Sequence, residues 1–274
     1  FSFIFFNLAK NIAMKTKITF TLIVLFSISI ALQANKPNWG ATGHRTVGVI
    51  ADKHLTKKAK RAINNLLDNH NLAFYSTFSD DIKSDKAFNK FYSWHYVNFA
   101  FDAKYDRAKA DKDGDLIQAI ETCIATLKDK NATRDDKVFY LKMLIHFMGD
   151  LHQPLHVGRG EDRGGNDIKV KWFGKSSNLH RVWDSDMIDG YNMSFTEMAN
   201  NADKLSKAQI AFIQKGTLLD WVGESQALAK TVYSSAKNDD KLSYRYSYDY
   251  LATVRQQLQK GGLRLAKVLN DIFG

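Results

Sequence analysis

A single cysteine, Cys123, excludes any disulfide within the chain. Without that cross-link the fold must be held by its core. Proline is almost as scarce, with Pro37 and Pro154 the two in the sequence. Long stretches therefore run without a helix breaker, and apolar residues recur in them at spacings of three and four. Internal repeats and low-complexity tracts are absent. So is a Gly-x-Ser-x-Gly elbow, and Cys123 has no evident base partner, which argues against a side-chain nucleophile. Residues 158–165 lack the Gly-Lys-Ser/Thr ending of a phosphate-binding loop. In Asp111-Lys112-Asp113-Gly114-Asp115 the glycine comes too early for an EF-hand. Acidic residues are in deficit, 29 against 39 Lys and Arg, for a formal net charge of +10. That balance suits a polyanionic substrate.

Met14-Lys15-Thr16-Lys17, followed by an apolar run to Ala31, reads as a secretory signal peptide with cleavage after Ala34. Residues 1–13 are then upstream of the start, and an uncleaved anchor is the alternative. Loss of residues 1–34 removes three lysines and no acid, leaving residues 35–274 as one domain of net charge +7. An exported monomer without a stable membrane anchor is expected, in the bacterial periplasm or secreted. Apolar periodicity predicts helices at about residues 42–55, 57–69, 116–128, 134–151, 180–189, 196–201, 207–214, 218–236 and 243–269. Thr56 and Asp115 are suitable caps. Residues 168–173 alternate apolar and basic before Gly174, which suggests a β ribbon. The expected fold class is all-α: a single mainly helical domain with a short two-stranded β ribbon.

The densest chemistry lies in residues 144–156, where His146, Asp150, His152 and His156 interrupt an apolar run. His146 and Asp150 stand four apart and share a helical face. Buried imidazole and carboxylate need a partner, and a metal ion is the strongest candidate. His180 and Asp184 repeat the spacing. Pro154 ends the first helix near His152, so His156 comes from the following turn and serves a different metal. His152 reads as a supporting or capping residue. Trp39-Gly40-Ala41-Thr42-Gly43-His44, the acidic turn Phe78–Lys83 and the aromatic run Phe91–Phe99 around His95 are each weak alone.

Together and in order, these motifs resemble the zinc-dependent single-strand nuclease family of the nuclease S-one/nuclease P-one type, in the phospholipase C/nuclease superfamily. The resemblance rests on Trp39-Gly-x-x-Gly-His44, Asp80, Trp94-His95-Tyr96, His146-Phe-x-Gly-Asp150-x-x-Gln-Pro-Leu-His156, Gly164-Gly165-Asn166 and Asn178-Leu-His180-x-x-Trp-Asp184. It spans roughly Trp39 to Ile188, and the C-terminal third matches in helical character. It implies a three-zinc fold. Asp80, His95, His146 and Asp150 would hold one ion. Asp150, His44 and the main-chain amino and carbonyl groups of Trp39 would hold a second, and His156, His180 and Asp184 the third. His54, His70 and His152 are left as structural or surface residues.

The resemblance also implies hydrolysis of single-stranded DNA and RNA to 5′-phosphorylated products, with possible action on 3′-nucleotides. Asp80, Lys83 and Asp150 would be catalytic, and Tyr96, Asn98 and Asn166 would contact substrate. Two residues depart from the fungal pattern, Asn98 for an aspartate and Lys83 for an arginine. Lysine neutralises charge but cannot make a planar two-point contact. A free amine at Trp39 would require trimming beyond Ala34, or a site completed differently by water. The alternatives are a zinc phospholipase C and a zinc-bound nucleic-acid-binding protein without turnover.

Overall fold

Residues 143–158 form an unbroken buried run in the computed structural model, which describes residues 40–274. The expected start at Met14, the expected cleavage at Ala34 and the expected ligand Trp39 lie outside the described residues. Most of the run belongs to helix α6, Arg134–Asp150. Its first half carries Asp135 and Asp136 near solvent, and its second half is buried on every side. Around it pack α1 (Ala41–Lys53), α2 (Lys57–Leu66), α3 (Leu72–Tyr75), α4 (Phe78–Asp81), α5 (Leu116–Lys128) and the C-terminal α12 (Tyr244–Phe273). The remaining helices are α7 (Leu179–Arg181), α8 (Met187–Gly190), α9 (Phe195–Asn200), α10 (Lys207–Ile213) and α11 (Leu218–Ser235).

Local chemistry accounts for the helix starts. The Thr56 hydroxyl accepts from Ala59 N at 3.1 Å, and Asp115 accepts from Ile117 N and Gln118 N at 2.9 and 3.1 Å. Each cap satisfies amides that the first turn leaves open. Ser194, Ser206 and Thr217 close capping boxes on α9, α10 and α11. Long α12 lies directly across α1, because a Cβ at Gly262 would sit 2.6 Å from Ile50.

The mainly helical expectation holds, with three differences in detail. The ribbon of β1 (Lys169–Trp172) and β2 (Lys175–Asn178) gains a third strand, β3 (Lys241–Leu242), parallel to β1. Two residues carry no periodic signal, so this strand is invisible until the chain returns. Residues 72–95, which include the acidic turn Phe78–Lys83 and the start of the aromatic run Phe91–Phe99, form α3, α4 and 3₁₀ turns over Ile82–Ser84 and Lys86–His95. Three-residue periodicity does not register as an α pattern. The expected helix over 180–189 divides into α7, a π turn at Val182–Asp186 and α8. Such turns concentrate at functional positions, and this one carries Asp184.

Candidate metal centre

Six segments deliver eight side chains to one buried region. α6 supplies His146 and Asp150 from successive turns. α1 supplies His44, α4 supplies Asp80, and the 3₁₀ turn before Tyr96 ends on His95. A 3₁₀ turn over Pro154–Val157 carries His156, as the proline break requires, and the α7–π-turn segment carries His180 and Asp184. Three sets of potential ligand atoms result: His44, His146 and Asp150; Asp80, His95 and His146; and His156, His180 and Asp184.

Asp150 is the hub. Its Oδ2 lies 2.9 Å from His95 Nδ1 and 3.1 Å from His146 Nε2, while Oδ1 lies 3.4 Å from His44 Nε2 and 3.2 Å from His156 Nδ1. Asp80 Oδ1 stands 3.7 Å from His146 Nε2 and 3.8 Å from His95 Nδ1. Asp184 Oδ1 faces His156 Nε2 at 3.4 Å and accepts from Gln153 Nε2 at 3.2 Å. The His44 and His146 rings stack at 3.8 Å, and the His156 and His180 rings at 5.0 Å.

The donor set fits a metal. His146, His156 and His180 each donate Nδ1–H to a backbone carbonyl, of Ser76, His95 and Gly164 respectively, all at 2.8 Å. His95 Nε2 meets Ser79 Oγ at 3.0 Å. Anchoring one ring nitrogen fixes the tautomer and orients the ring towards a metal position. The electrostatics agree. Burial opposes charge at every member, yet the cluster favours added positive charge. The carboxylates of Asp150 and Asp80 raise His146, and those of Asp150 and Asp184 push His156 up to about 10. Opposite charges on His146 and His156 hold Asp150 well below the ordinary range, despite its burial. Asp80 is also lowered against its burial, by His146, Lys83 and His95. Burial lowers His44 and His180, and takes His95 down to about 4. Ionised carboxylates that hold positive charge on His146 and His156 beside the neutral His44, His95 and His180 make a site suited to a cation.

The remaining expected residues divide. Lys83 joins the cluster, its Nζ 2.8 Å from Asp80 Oδ1. Tyr96 and Asn98 line an adjoining cavity of ≈320 Å³, together with Ser93 and Tyr105. The side-chain oxygens of Ser93 and Asn98 are buried there without a hydrogen-bond partner. Asn166 stands apart: its amide donates to Arg163 O at 2.8 Å, within its own loop. His152 enters none of the three sets. Burial and the nearby Arg264 guanidinium take it down to about 3.

Several supporting residues carried no sequence signal. Ser225 Oγ donates to Leu151 O at 2.6 Å, Gln257 Nε2 donates to His152 O at 3.1 Å, and Arg264 Nη1 reaches His152 Nε2 at 3.1 Å. Three side chains of α11 and α12 thus clamp the link between Asp150 and His156. Ser76 and Ser79 orient two rings from a stretch that reads as ordinary surface. Gly149 sits in the motif, yet its reason emerges here: a Cβ would lie 2.7 Å from His44 Nδ1.

Comparison with known proteins agrees with this geometry. The S1/P1 Nuclease family model matches residues 39–274, which include every ligand candidate. The chain belongs to that family. It is similar to Endonuclease 5 of Arabidopsis thaliana, at 33% identity over 86% of this chain and 90% of the relative. Endonuclease 2 of the same plant is 30% identical over 92% of this chain and 97% of the relative. Nuclease P1 of Penicillium citrinum is 27% identical over 86% and 98%. Membership in this metal-dependent family supports a nuclease, a hydrolase of phosphodiester bonds acting on nucleic acid. Among the described residues, no helix is long and apolar enough to cross a membrane.

Proposed function

We propose that the protein is an exported, zinc-dependent endonuclease that cleaves single-stranded DNA and RNA to 5′-phosphorylated products and also removes 3′-phosphates from nucleotides. The convergence of His44, His95, His146 and His156 on the two oxygens of Asp150 carries this reading. Three zinc ions are proposed: Asp80, His95, His146 and Asp150 would hold one, His44 and Asp150 would hold a second with the main chain of Trp39, and His156, His180 and Asp184 would hold the third. Imidazole and carboxylate without thiolate suit zinc sites that keep open positions. When bound, the ions lower the pKa of water and neutralise charge on the phosphodiester.

The chain's own residues do the rest. Asp150 keeps its charge through the flanking imidazoles and holds the first two positions in register. Asp80 anchors Lys83, whose ammonium brings a point charge to the arriving phosphate. Tyr96 offers a flat face for an unpaired base, and Asn98, lining the same cavity, would contact it. Asn166 would contact substrate from the loop beside His180, which its amide steadies through Arg163 O. Duplex bases are already stacked and present no face to Tyr96.

Purified protein with its zinc counted should be assayed on denatured DNA, RNA and phosphatidylcholine vesicles. Cleavage of both nucleic acids with 5′-phosphate ends is expected. Activity on vesicles alone would establish a phospholipase C instead, and full zinc without turnover would establish a binding protein. Intact mass of the exported form tests the second position: a chain starting at Trp39 is expected, and a stable, active form starting at Asn35 would refute trimming.

A further inference from the structure

Two of the segments that feed the cluster also build a second cleft, of ≈670 Å³, which the chemistry above does not use. α1 places His44 in the cluster and the next residue, Arg45, in the cleft. Residues 76–80 send Ser76, Ser79 and Asp80 to the cluster, and their neighbours Tyr75, Thr77 and Phe78 line the cleft. Gly48 fixes this arrangement: a Cβ there would lie 2.7 Å from Ala73, so α3 rests directly on α1.

The cleft presents an aromatic platform. Asp68 and Asn69, in the left-handed region at φ 50° and 64°, turn the chain after α2 and deliver His70 onto Phe74. Their rings stack at 4.4 Å and 13°. Phe74 remains 59% exposed, and Tyr75 meets its edge at 4.9 Å. Cations flank these rings. Lys142 Nζ lies 4.1 Å from the Tyr75 centroid and 5.1 Å from that of Phe78. Arg45 lies 5.9 Å from the Phe195 centroid and makes no ion pair among the described residues. Asp81 is the one acidic lining residue, and it accepts a hydrogen bond from Thr77. The exposed Phe74 ring beside the Arg45 charge matches an unstacked base and its phosphate.

We propose that this cleft is a distal base-stacking subsite for single-stranded nucleic acid, holding nucleotides beyond the bond being cut. It gives His70, an ordinary surface histidine by sequence, a binding role, and it rests on the nuclease reading. The test compares kcat/KM on a thymidine dinucleotide and on a 20-mer oligo(dT) for wild type, Phe74→Ala, Phe74→Trp and Arg45→Ala. Phe74→Ala should lower the 20-mer to dinucleotide ratio about ten-fold, through KM, while Phe74→Trp keeps it. Arg45→Ala should reduce the log–log salt slope for the 20-mer by about 0.7. An unchanged ratio in Phe74→Ala and an unchanged slope in Arg45→Ala, with wild type cutting both substrates, overturn the subsite alone. A wild type that cuts neither overturns the nuclease reading and the subsite with it.

Discussion

Alanine at position 149 would add one methyl group 2.7 Å from His44 Nδ1 and 3.1 Å from Cε1. Ordinary contact begins near 3.4 Å, so the ring must shift by about 0.7 Å or α1 must lift from α6. His44 has little room, being fully buried and stacked on His146. Two effects on stability oppose one another. Alanine gains about 1 kcal/mol over glycine within a helix, whereas overpacking costs about 1–3 kcal/mol. The net change should be a loss of no more than about 2 kcal/mol. Activity is more sensitive, since a displacement near 1 Å within a catalytic constellation can cost roughly a hundred-fold. Gly149→Ala should therefore remain folded by circular dichroism while losing most cleavage of denatured DNA and part of its metal. Gly223→Ala is the control, because Gly223 lies exposed in α11 with nothing within 4 Å of an added Cβ. It should gain up to about 1 kcal/mol and keep full activity. Wild-type cleavage and metal content in Gly149→Ala would refute the close-contact argument.

Three further outcomes follow from other parts of the fold. Removing metal with a chelator should lower Tm by several degrees, and zinc should restore it, because binding to the native state alone stabilises that state; a Tm indifferent to chelator counts against metal at this site. Gly262→Ala pushes a methyl into Ile50 at 2.6 Å and should cost about 1–3 kcal/mol in urea unfolding, with cleavage per folded molecule preserved. Burial pushes the Tyr246 hydroxyl up to about 12, with Ser235 and Trp183 as hydrogen-bond partners. A raised native pKa stabilises fully below the unfolded value near 10 and is lost as pH rises towards 12, at up to ~1.4 kcal/mol per pH unit. Urea midpoints between pH 9 and 11 should thus fall more steeply for wild type than for Tyr246→Phe, and parallel curves would contradict this.

Residues with a long-range periodic context were legible from sequence, and those without it were not. Helix Leu116–Lys128 was bounded correctly because Asp115 caps it and its apolar face repeats over three turns. Pro154 likewise announced that His156 leaves the axis of α6. Asp80 shows the opposite case. Its neighbours compose an acidic, surface-like turn, and motif order alone singled it out. Only folding of α4 against α6 brings Asp80 beside His146. Ser76, Ser79 and Gly149 matter through what passes near them, which no spacing rule encodes. β3 failed for want of length, since two residues cannot display a period.

The clamp from Ser225, Gln257 and Arg264 links the least motif-rich third of the chain to its most constrained stretch. No ligand candidate lies beyond Asp184, yet the path from Asp150 to His156 is held by side chains forty or more residues downstream of it. Changes at these three side chains would therefore adjust the gap between the Asp150 hub and the third set from a distance, with every ligand candidate left intact. Truncation of α12 would disturb the same gap, so the C-terminus belongs to the catalytic unit in mechanical terms. Divergence there becomes a means of retuning the centre from a distance.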